Sequence, residues 1–142
     1  MDTEKMKRFF QQDAFATLLG IELADISAGG AVARMEIQPR HCNIHGTAHG
    51  GAIFTLADFA FQAACNSHGT VAVALNVNIS YLRPAGGGRL TAQAVEVSRS
   101  KRIGTYDIKV TDEAGQLIAT FHGMAFRKED PIDWSAAMGQ KS

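Results

Sequence analysis

A single carboxylate stands out in the middle of the sequence. Asp58 is the only formally charged residue between Gly50 and Ser67, in a segment made largely of alanine and large apolar side chains. Placing a carboxylate in apolar surroundings costs several kcal/mol unless it is hydrogen-bonded or used in chemistry. In one interpretation Asp58 only hydrogen-bonds a neighbouring group. We favour the other, a catalytic role, because costly polar groups gather at functional sites.

A second candidate lies just before this segment, in Thr47-Ala48-His49-Gly50-Gly51. Adjacent glycines at the start of a helix leave backbone N–H groups open to close approach, with the positive end of the helix dipole behind them. Such donors form an oxyanion hole. The alternative is a tight loop-to-helix turn that needs glycine for its shape alone.

The spacing of the two candidates predicts how they act together. Gly50 and Asp58 are eight residues apart, which on a straight helix is about 12 Å along the axis. One substrate carbonyl cannot easily contact both groups, whereas catalysis needs contacts of about 3 Å. We therefore expect the two groups at one site to come from different copies of the chain, across a two-fold dimer interface with two sites per dimer.

Three histidines recur every four residues, a spacing that on a helix would align metal ligands on one face: His41, His45 and His49. The segment follows Pro39 and contains Gly46, both unfavourable to a helix, so we expect no metal site here. The other two histidines, His68 and His122, are given no role.

Basic residues occur at the predicted turns beside glycine-rich backbone: Arg83, Lys101 and Arg102. At such positions they can meet the phosphates of a nucleotide-bearing ligand. Solvated turn charges are an equally good interpretation. The run Gly86-Gly87-Gly88 lacks the spacing of a phosphate-binding loop, so we interpret it as a turn.

The surrounding pattern predicts the elements that position these residues. A short amphipathic helix begins near Thr3, a hairpin turns at residues 28–30, and a buried helix from Gly50 ends before Gly69. Four strands follow, over residues 71–81, 90–98, 103–111 and 116–126, and we expect them to be antiparallel. A helix that is apolar on every side needs a sheet curled around it or cover from a second subunit. Residues 1–127 form the predicted domain, and 128–142 a loosely attached tail.

The composition limits the classes of function. The chain has 142 residues, a formal net charge of +0 and 46% hydrophobic residues, which fits a single domain and gives no electrostatic basis for nucleic-acid binding. The longest apolar stretch, residues 52–65, is too short for a membrane span. Two cysteines, Cys42 and Cys65, and an N-terminus without an export-signal pattern predict a cytoplasmic protein with reduced thiols.

One extended motif resembles a known family: Asn43-x2-Gly46-x2-His49-Gly50-Gly51-x2-Phe54-x-Leu56-Ala57-Asp58-x2-Phe61. It is similar to that of the hotdog-fold acyl-CoA thioesterases of the PaaI (phenylacetic acid degradation) type. Supporting matches follow in Ala64-Cys65-Asn66-Ser67 and Tyr81-Leu82-Arg83-Pro84. The resemblance extends from about residue 14 to residue 126.

The resemblance implies an α+β hotdog fold, in which a curved antiparallel sheet wraps around one long central helix, in dimers that pair into tetramers. It implies that Asp58 is the nucleophile or general base and that the Gly50 N–H polarises the thioester carbonyl. Asn43 would position water or the carbonyl, and His49 would support the loop. In the family the Asp and the His-Gly pair come from opposing subunits. The substrate would be an acyl-CoA, and no cofactor is needed.

The details of substrate binding are less determined. Our candidate substrate-binding residues are Gly51, Asn76, Arg83 and Lys101. Some related thioesterases have a Ser or Thr on the strand after the helix, where this chain has Ala74, with Asn76 and Asn78 on the same predicted face. An acyl pocket that includes Phe54, Phe59 or Phe61 would suit an aromatic group, although phenylalanines in an apolar helix are often simply core.

We therefore predict a thioester hydrolase that cleaves acyl-CoA, with an aromatic, phenylacetyl-like acyl group as the best substrate. Two alternatives stay open. One is a hotdog hydratase or dehydratase in which His49 and Asp58 shuttle protons. The other is a non-enzymatic acyl-CoA-binding subunit.

Overall fold

A six-stranded antiparallel sheet wraps around one long helix in the computed structural model, which describes residues 2–135. The elements in chain order are α1 (Thr3–Phe10), α2 (Ala14–Leu18), β1 (Glu22–Ser27), β2 (Gly30–Glu36), a 3-10 turn (Pro39–His41), α3 (Gly50–Asn66), β3 (Thr70–Tyr81), β4 (Arg89–Arg99), β5 (Ile103–Thr111) and β6 (Leu117–Pro131). The predicted hairpin, buried helix and four later strands all form.

The helix α3 is the core element, and it packs against all six strands. The strand order is β1-β2-β4-β5-β6-β3, so the chain crosses from β2 through α3 to the far edge and then fills the middle of the sheet. Ten of the 17 residues of α3 are buried. The remaining exposed or half-buried positions include Thr55, Asp58, Gln62 and Asn66, which form one stripe along the helix. The sheet thus curls around the helix and leaves a polar stripe uncovered.

The N-terminal region contains one more helix than the sequence predicts. α1 begins as expected, but its N-cap is Asp2, whose side chain accepts a hydrogen bond from the Lys5 N–H, and not Thr3. The five-residue α2 is capped by Asp13. A helix this short has no room for an apolar period, so pattern analysis could not detect it.

The alternation of β3 changes phase in the middle of the strand. A regular strand would bury the predicted apolar set that includes Val73 and Leu75, yet these side chains are 42% and 54% exposed. A bulge between Ala74 and Asn76 explains the difference. Before the bulge Ala72 faces the core, and after it Val77 does. One extra residue exchanges the two faces of the strand.

The segment after residue 127 is held more firmly than predicted. β6 continues to Pro131, which pairs with Thr70, and the Ile132 N–H donates to the Gly69 carbonyl (2.8 Å). The Trp134 ring then packs on α1. The prediction of a loose tail is therefore wrong for residues 128–134. Charged residues and a proline are unfavourable to a strand, so the composition of this segment did not indicate that it pairs with β3. The rest of the predicted tail, residues 136–142, lies outside the described residues. Within residues 2–135, no helix is long and apolar enough to span a membrane.

Candidate active site

The start of α3 is fixed by the side chain of His49. His49 is the N-cap, with φ −64° and ψ 139°, and its Nδ1 accepts a hydrogen bond from the Gly51 N–H (2.8 Å). Because Nδ1 is an acceptor, the ring proton of the neutral imidazole is on Nε2. A Cβ atom at residue 51 would lie 3.1 Å from His49 Nδ1. Glycine at 51 thus makes room for the capping ring, and its N–H is already used.

The Gly50 N–H is the donor that remains open at this helix end. Within residues 2–135 it has no hydrogen-bond acceptor, as expected of an amide in the first turn of a helix. The Tyr81 hydroxyl donates to the Gly50 carbonyl oxygen (2.9 Å), and a Cβ atom at residue 50 would meet the Tyr81 ring at 3.2 Å. The peptide group between Gly50 and Gly51 is therefore held at both ends, by Tyr81 on its oxygen and by His49 on its N–H.

The loop before α3 is organised by Asn43. Its side-chain oxygen Oδ1 accepts from the backbone N–H groups of His45 (2.9 Å) and Thr47 (3.2 Å), and its side-chain nitrogen Nδ2 donates to the Thr47 hydroxyl (3.0 Å). Gly46 closes the turn at φ +82°, a backbone conformation that favours glycine. In this arrangement Asn43 holds the shape of the loop that leads to His49.

A cleft of about 290 Å³ brings three of the predicted site residues together. Asn43, Gly50 and Arg83 all line it, with Tyr81 between them. The other substrate-binding candidates lie elsewhere. Asn76 is exposed on β3, just after the bulge, and Lys101 is in the β4–β5 turn, at the end of the sheet where α3 finishes.

Asp58 lies half-buried on the polar stripe of α3. Gln62 Nε2, one helical turn later, donates a hydrogen bond to Asp58 Oδ2 (2.9 Å). Burial raises the pKa of the Asp58 carboxyl group, the Gln62 hydrogen bond opposes the rise, and the charge of Asp13 adds to it. A carboxylate with a raised pKa is a stronger base near neutral pH than an ordinary aspartate. Its hydrogen bond to Gln62 leaves Oδ1 for a substrate or water.

The same burial makes Cys65 unsuitable as a nucleophile. Burial, with a further contribution from the charge of Asp58, raises the pKa of the Cys65 thiol to about 12. The reactive form of cysteine is the thiolate. At neutral pH Cys65 is therefore a protonated core residue.

His41 and His68, which were predicted to have no catalytic or metal-binding role, have structural partners. His41 is buried, accepts from the Gln38 N–H at Nδ1 (2.8 Å) and donates from Nε2 to the Leu19 carbonyl (2.7 Å). His68 donates to Glu96 (2.7 Å) beyond the end of α3. No group of three or more potential metal-binding side chains occurs among residues 2–135.

Gln62 and Tyr81, which were not predicted as site residues, both bond residues of the candidate site. Gln62 had a detectable signal, since a glutamine four residues after an aspartate on a helix is in reach of a side-chain hydrogen bond. Tyr81 was marked only by the family match Tyr81-Leu82-Arg83-Pro84, which assigns it no role. It is 31 residues from Gly50, and only the closure of the sheet brings the two together.

Comparisons with known proteins identify the family and the fold. Residues 45–119 match the model of the thioesterase superfamily. The chain is 40% identical over 119 residues to the acyl-coenzyme A thioesterase PaaI of Escherichia coli (strain K12), covering 83% of this chain and 85% of that protein. It is 31% identical over 121 residues to the acyl-coenzyme A thioesterase 13 of Homo sapiens, covering 82% and 86%. The solved structure of the E. coli PaaI protein from the phenylacetic acid degradation operon matches with a TM-score of 0.85 and 36% identity, over 92% of this chain and 98% of that one.

The fold and the matched residues define a hotdog-type thioester hydrolase. The chain belongs to the thioesterase superfamily. The predicted α+β hotdog fold, the resemblance to the PaaI type and the assignment as a thioester hydrolase are all confirmed.

Proposed function

We propose that this protein is an acyl-CoA thioesterase that hydrolyses the thioester to a free acid and coenzyme A, with Asp58 and the Gly50 N–H as the reacting groups. The observation that carries the proposal is the pairing of two features on α3: a half-buried carboxylate with a raised pKa and an N-terminal N–H without an acceptor in residues 2–135. Two curated relatives named acyl-coenzyme A thioesterases support the choice of substrate.

The chemistry requires little more than these groups, because a thioester is already activated. The substrate carbonyl oxygen accepts from the Gly50 N–H, which stabilises the negative charge of the tetrahedral intermediate. In one route Asp58 takes a proton from water, whose oxygen adds to the carbonyl carbon. In the other Asp58 attacks the carbon itself, and water later hydrolyses the anhydride. In both routes the C–S bond breaks and the thiolate of coenzyme A takes up a proton. We propose that no cofactor takes part.

A single turnover in ¹⁸O-labelled water distinguishes the two routes. Label in Asp58 itself, from water that opens the anhydride at the aspartyl carbon, indicates direct attack. If water opens the anhydride at the acyl carbon, the label enters the product acid, and a trapped acyl-enzyme then identifies this route. General-base catalysis places the label in the product acid alone. Mass spectrometry of the peptide that contains Asp58 reads the difference.

We infer that each active site combines Asp58 of one protomer with Gly50 of another, because the two are about 12 Å apart along α3. The free edge of β3 supports this inference. At the opposite edge of the sheet, α1 covers β1. The Gln11 side chain donates to the Ile21 carbonyl and accepts from the Leu23 N–H, and the Lys7 side chain donates to the Ala24 carbonyl. Among residues 2–135, β6 is the only strand that pairs with β3. The Asn66 side chain bonds the N–H and carbonyl of Ala72, and no other strand of residues 2–135 pairs with the rest of this edge, which favours pairing with a second chain.

Antiparallel pairing of two β3 strands across a two-fold axis would also explain the scattered substrate-binding candidates. Arg83 follows the end of β3 near Gly50, and Lys101 lies near the start of β3. In such a dimer the end of one β3 lies beside the start of the other. Arg83 of one protomer and Lys101 of its partner would then approach the same coenzyme A phosphates. Asn76 would lie at the shared edge, and Gly51 would complete the Gly50 turn.

The remaining parts of the proposal are finer. We propose that Asn43 and His49 act by holding the Gly50 turn and that dimers pair into tetramers. We propose a cytoplasmic enzyme with an aromatic, phenylacetyl-like acyl group as its best substrate. The E. coli PaaI protein of similar structure comes from a phenylacetic acid degradation operon, which supports this choice.

A thiol-release screen over short, long, branched and aromatic acyl-CoAs tests the proposed function. We expect hydrolysis of at least one class, with kcat/KM highest for phenylacetyl-CoA. Hydration of an enoyl-CoA without thiol release would instead indicate the hydratase alternative. Tight binding of acyl-CoA with no turnover anywhere in the panel would indicate a binding subunit and contradict the proposal.

A further inference from the structure

A second and larger groove begins beside Asp58 and runs between α3 and the two ends of the described chain. Its volume is about 590 Å³, within the range of small-molecule sites. Its lining includes Phe9, Phe10, Asp13, Phe59, Gln62 and Val71. Most of the large lining side chains are apolar, and one of them, Phe59, is a residue that the sequence suggested for an acyl pocket.

Two of these residues connect the groove to the reacting carboxylate. Gln62 lines the groove and donates to Asp58 Oδ2 (2.9 Å). Asp13, the N-cap of α2, also lines the groove, and its charge helps to raise the pKa of Asp58. A thioester carbonyl at Asp58 therefore has an apolar channel directly beside it, on the side of the stripe away from Gly50.

One wall of the groove comes from parts of the chain that lie outside the matched thioesterase region, residues 45–119. α1 contributes Phe9 and Phe10, and the end of β6 leads to Trp134 behind them. The three rings pack edge to face, with Phe9 centred 5.3 Å from Phe10 and 5.1 Å from Trp134. The Ile132 N–H, bonded to the Gly69 carbonyl, fixes the returning chain. Both terminal segments thus build one rigid aromatic wall.

We propose that this groove holds the acyl group of the substrate and that the aromatic wall of Phe9, Phe10 and Trp134 sets acyl-group selectivity. The inference rests on the proposed thioesterase function. The chemistry of the groove fits an uncharged aromatic acyl group, because aromatic rings pack favourably edge to face with other rings. The carboxylates of Asp13 and Asp133 at its margin disfavour an acyl group that carries its own negative charge.

Two substitutions with opposite effects on groove volume test the proposal. Phe9→Ala opens the wall, and Val71→Trp fills the groove from the start of β3. Leu18→Ala is the control, since Leu18 is 65% exposed on α2 and does not line the groove. The measured quantity is the ratio of kcat/KM for phenylacetyl-CoA to kcat/KM for acetyl-CoA, whose acyl group has no ring to pack against the wall.

We expect both groove substitutions to lower this ratio by about tenfold, mainly through phenylacetyl-CoA, and Leu18→Ala to leave it within twofold. Equal loss on both substrates, or an unchanged ratio, would overturn the proposal while the thioesterase function stood. A wild-type enzyme that hydrolyses no thioester would contradict the proposed function instead.

A binding measurement tests the groove even if the wild-type enzyme hydrolyses no thioester or if one of the variants is poorly folded. In an Asp58→Asn background, which retains the thioester, Val71→Trp should weaken phenylacetyl-CoA binding by about tenfold and leave free coenzyme A binding unchanged. Equal affinity of both proteins for phenylacetyl-CoA would overturn the proposal. So would a change in oligomeric state that accounts for the whole effect, because the groove would then be a contact between copies of the chain.

Discussion

Replacing Gly50 by proline removes the proposed oxyanion donor without breaking the helix that carries it. Gly50 is the first residue of α3, a position where the missing N–H of proline breaks no intrahelical bond. The residue before proline must be extended, and His49 already has φ −64° and ψ 139°. The matched control is Gly50→Ala, which adds the same Cβ atom, 3.2 Å from the Tyr81 ring, and keeps the N–H.

The difference between these two variants measures the contribution of the N–H group. Loss of one oxyanion donor costs about 10²–10³-fold in kcat, or about 3–4 kcal/mol of transition-state stabilisation. We expect the kcat of Gly50→Pro to be lower than the kcat of Gly50→Ala by about that factor, while the helix content of the two variants is the same. The assay is steady-state release of coenzyme A thiol on the best substrate, with circular dichroism and thermal unfolding on both variants. Equal kcat for two folded variants would refute the assignment of Gly50 as the donor.

Three further predictions address the carboxylate and its setting. Asp58→Asn should lower kcat by about 10²–10⁴-fold with the oligomer intact, measured against Glu36→Gln, a surface carboxylate control; near-wild-type hydrolysis would contradict a catalytic role. Gln62→Leu should move the acidic limb of the kcat/KM profile to higher pH, because Asp58 is active when deprotonated and the lost hydrogen bond had lowered its pKa; an unmoved limb would exclude this role for Gln62. Gly123→Ala should lower the free energy of unfolding by about 1–3 kcal/mol in chemical denaturation, since its Cβ atom would lie 2.6 Å from the buried Phe61 ring; unchanged stability would show that this ring can move.

Local signals in the sequence were sufficient for most of the fold. The Ala-rich apolar run predicted α3, Gly29 with φ +77° forms the predicted hairpin turn, and the later strands lie within a few residues of their expected ends. These features depend on near neighbours, through periodicity and turn chemistry. The lone charge of Asp58 also marked a carboxylate that the structure places half-buried on α3.

The features that could not be predicted depend on contacts between distant parts of the chain. The β3 bulge reverses the faces of Val73 and Val77, and no residue type in the strand marks its position. Pairing of Thr70 with Pro131 extends β6 into a segment whose composition suggests a tail. The Tyr81 bond to Gly50 depends on how the sheet closes on α3. The spacing of Gly50 and Asp58 is local, but the arrangement of two chains that it requires is not.

Mixing two inactive variants tests the central claim, that one active site uses Asp58 of one protomer and Gly50 of another. Asp58→Asn and Gly50→Pro are produced with different tags, allowed to exchange subunits and assayed together. Random exchange makes about half of the dimers mixed, and each mixed dimer contains one intact site, so about one quarter of the wild-type kcat should return. If the tags show that mixed dimers have formed and the activity stays at the sum of the two variants, the site lies within one chain and the account is wrong.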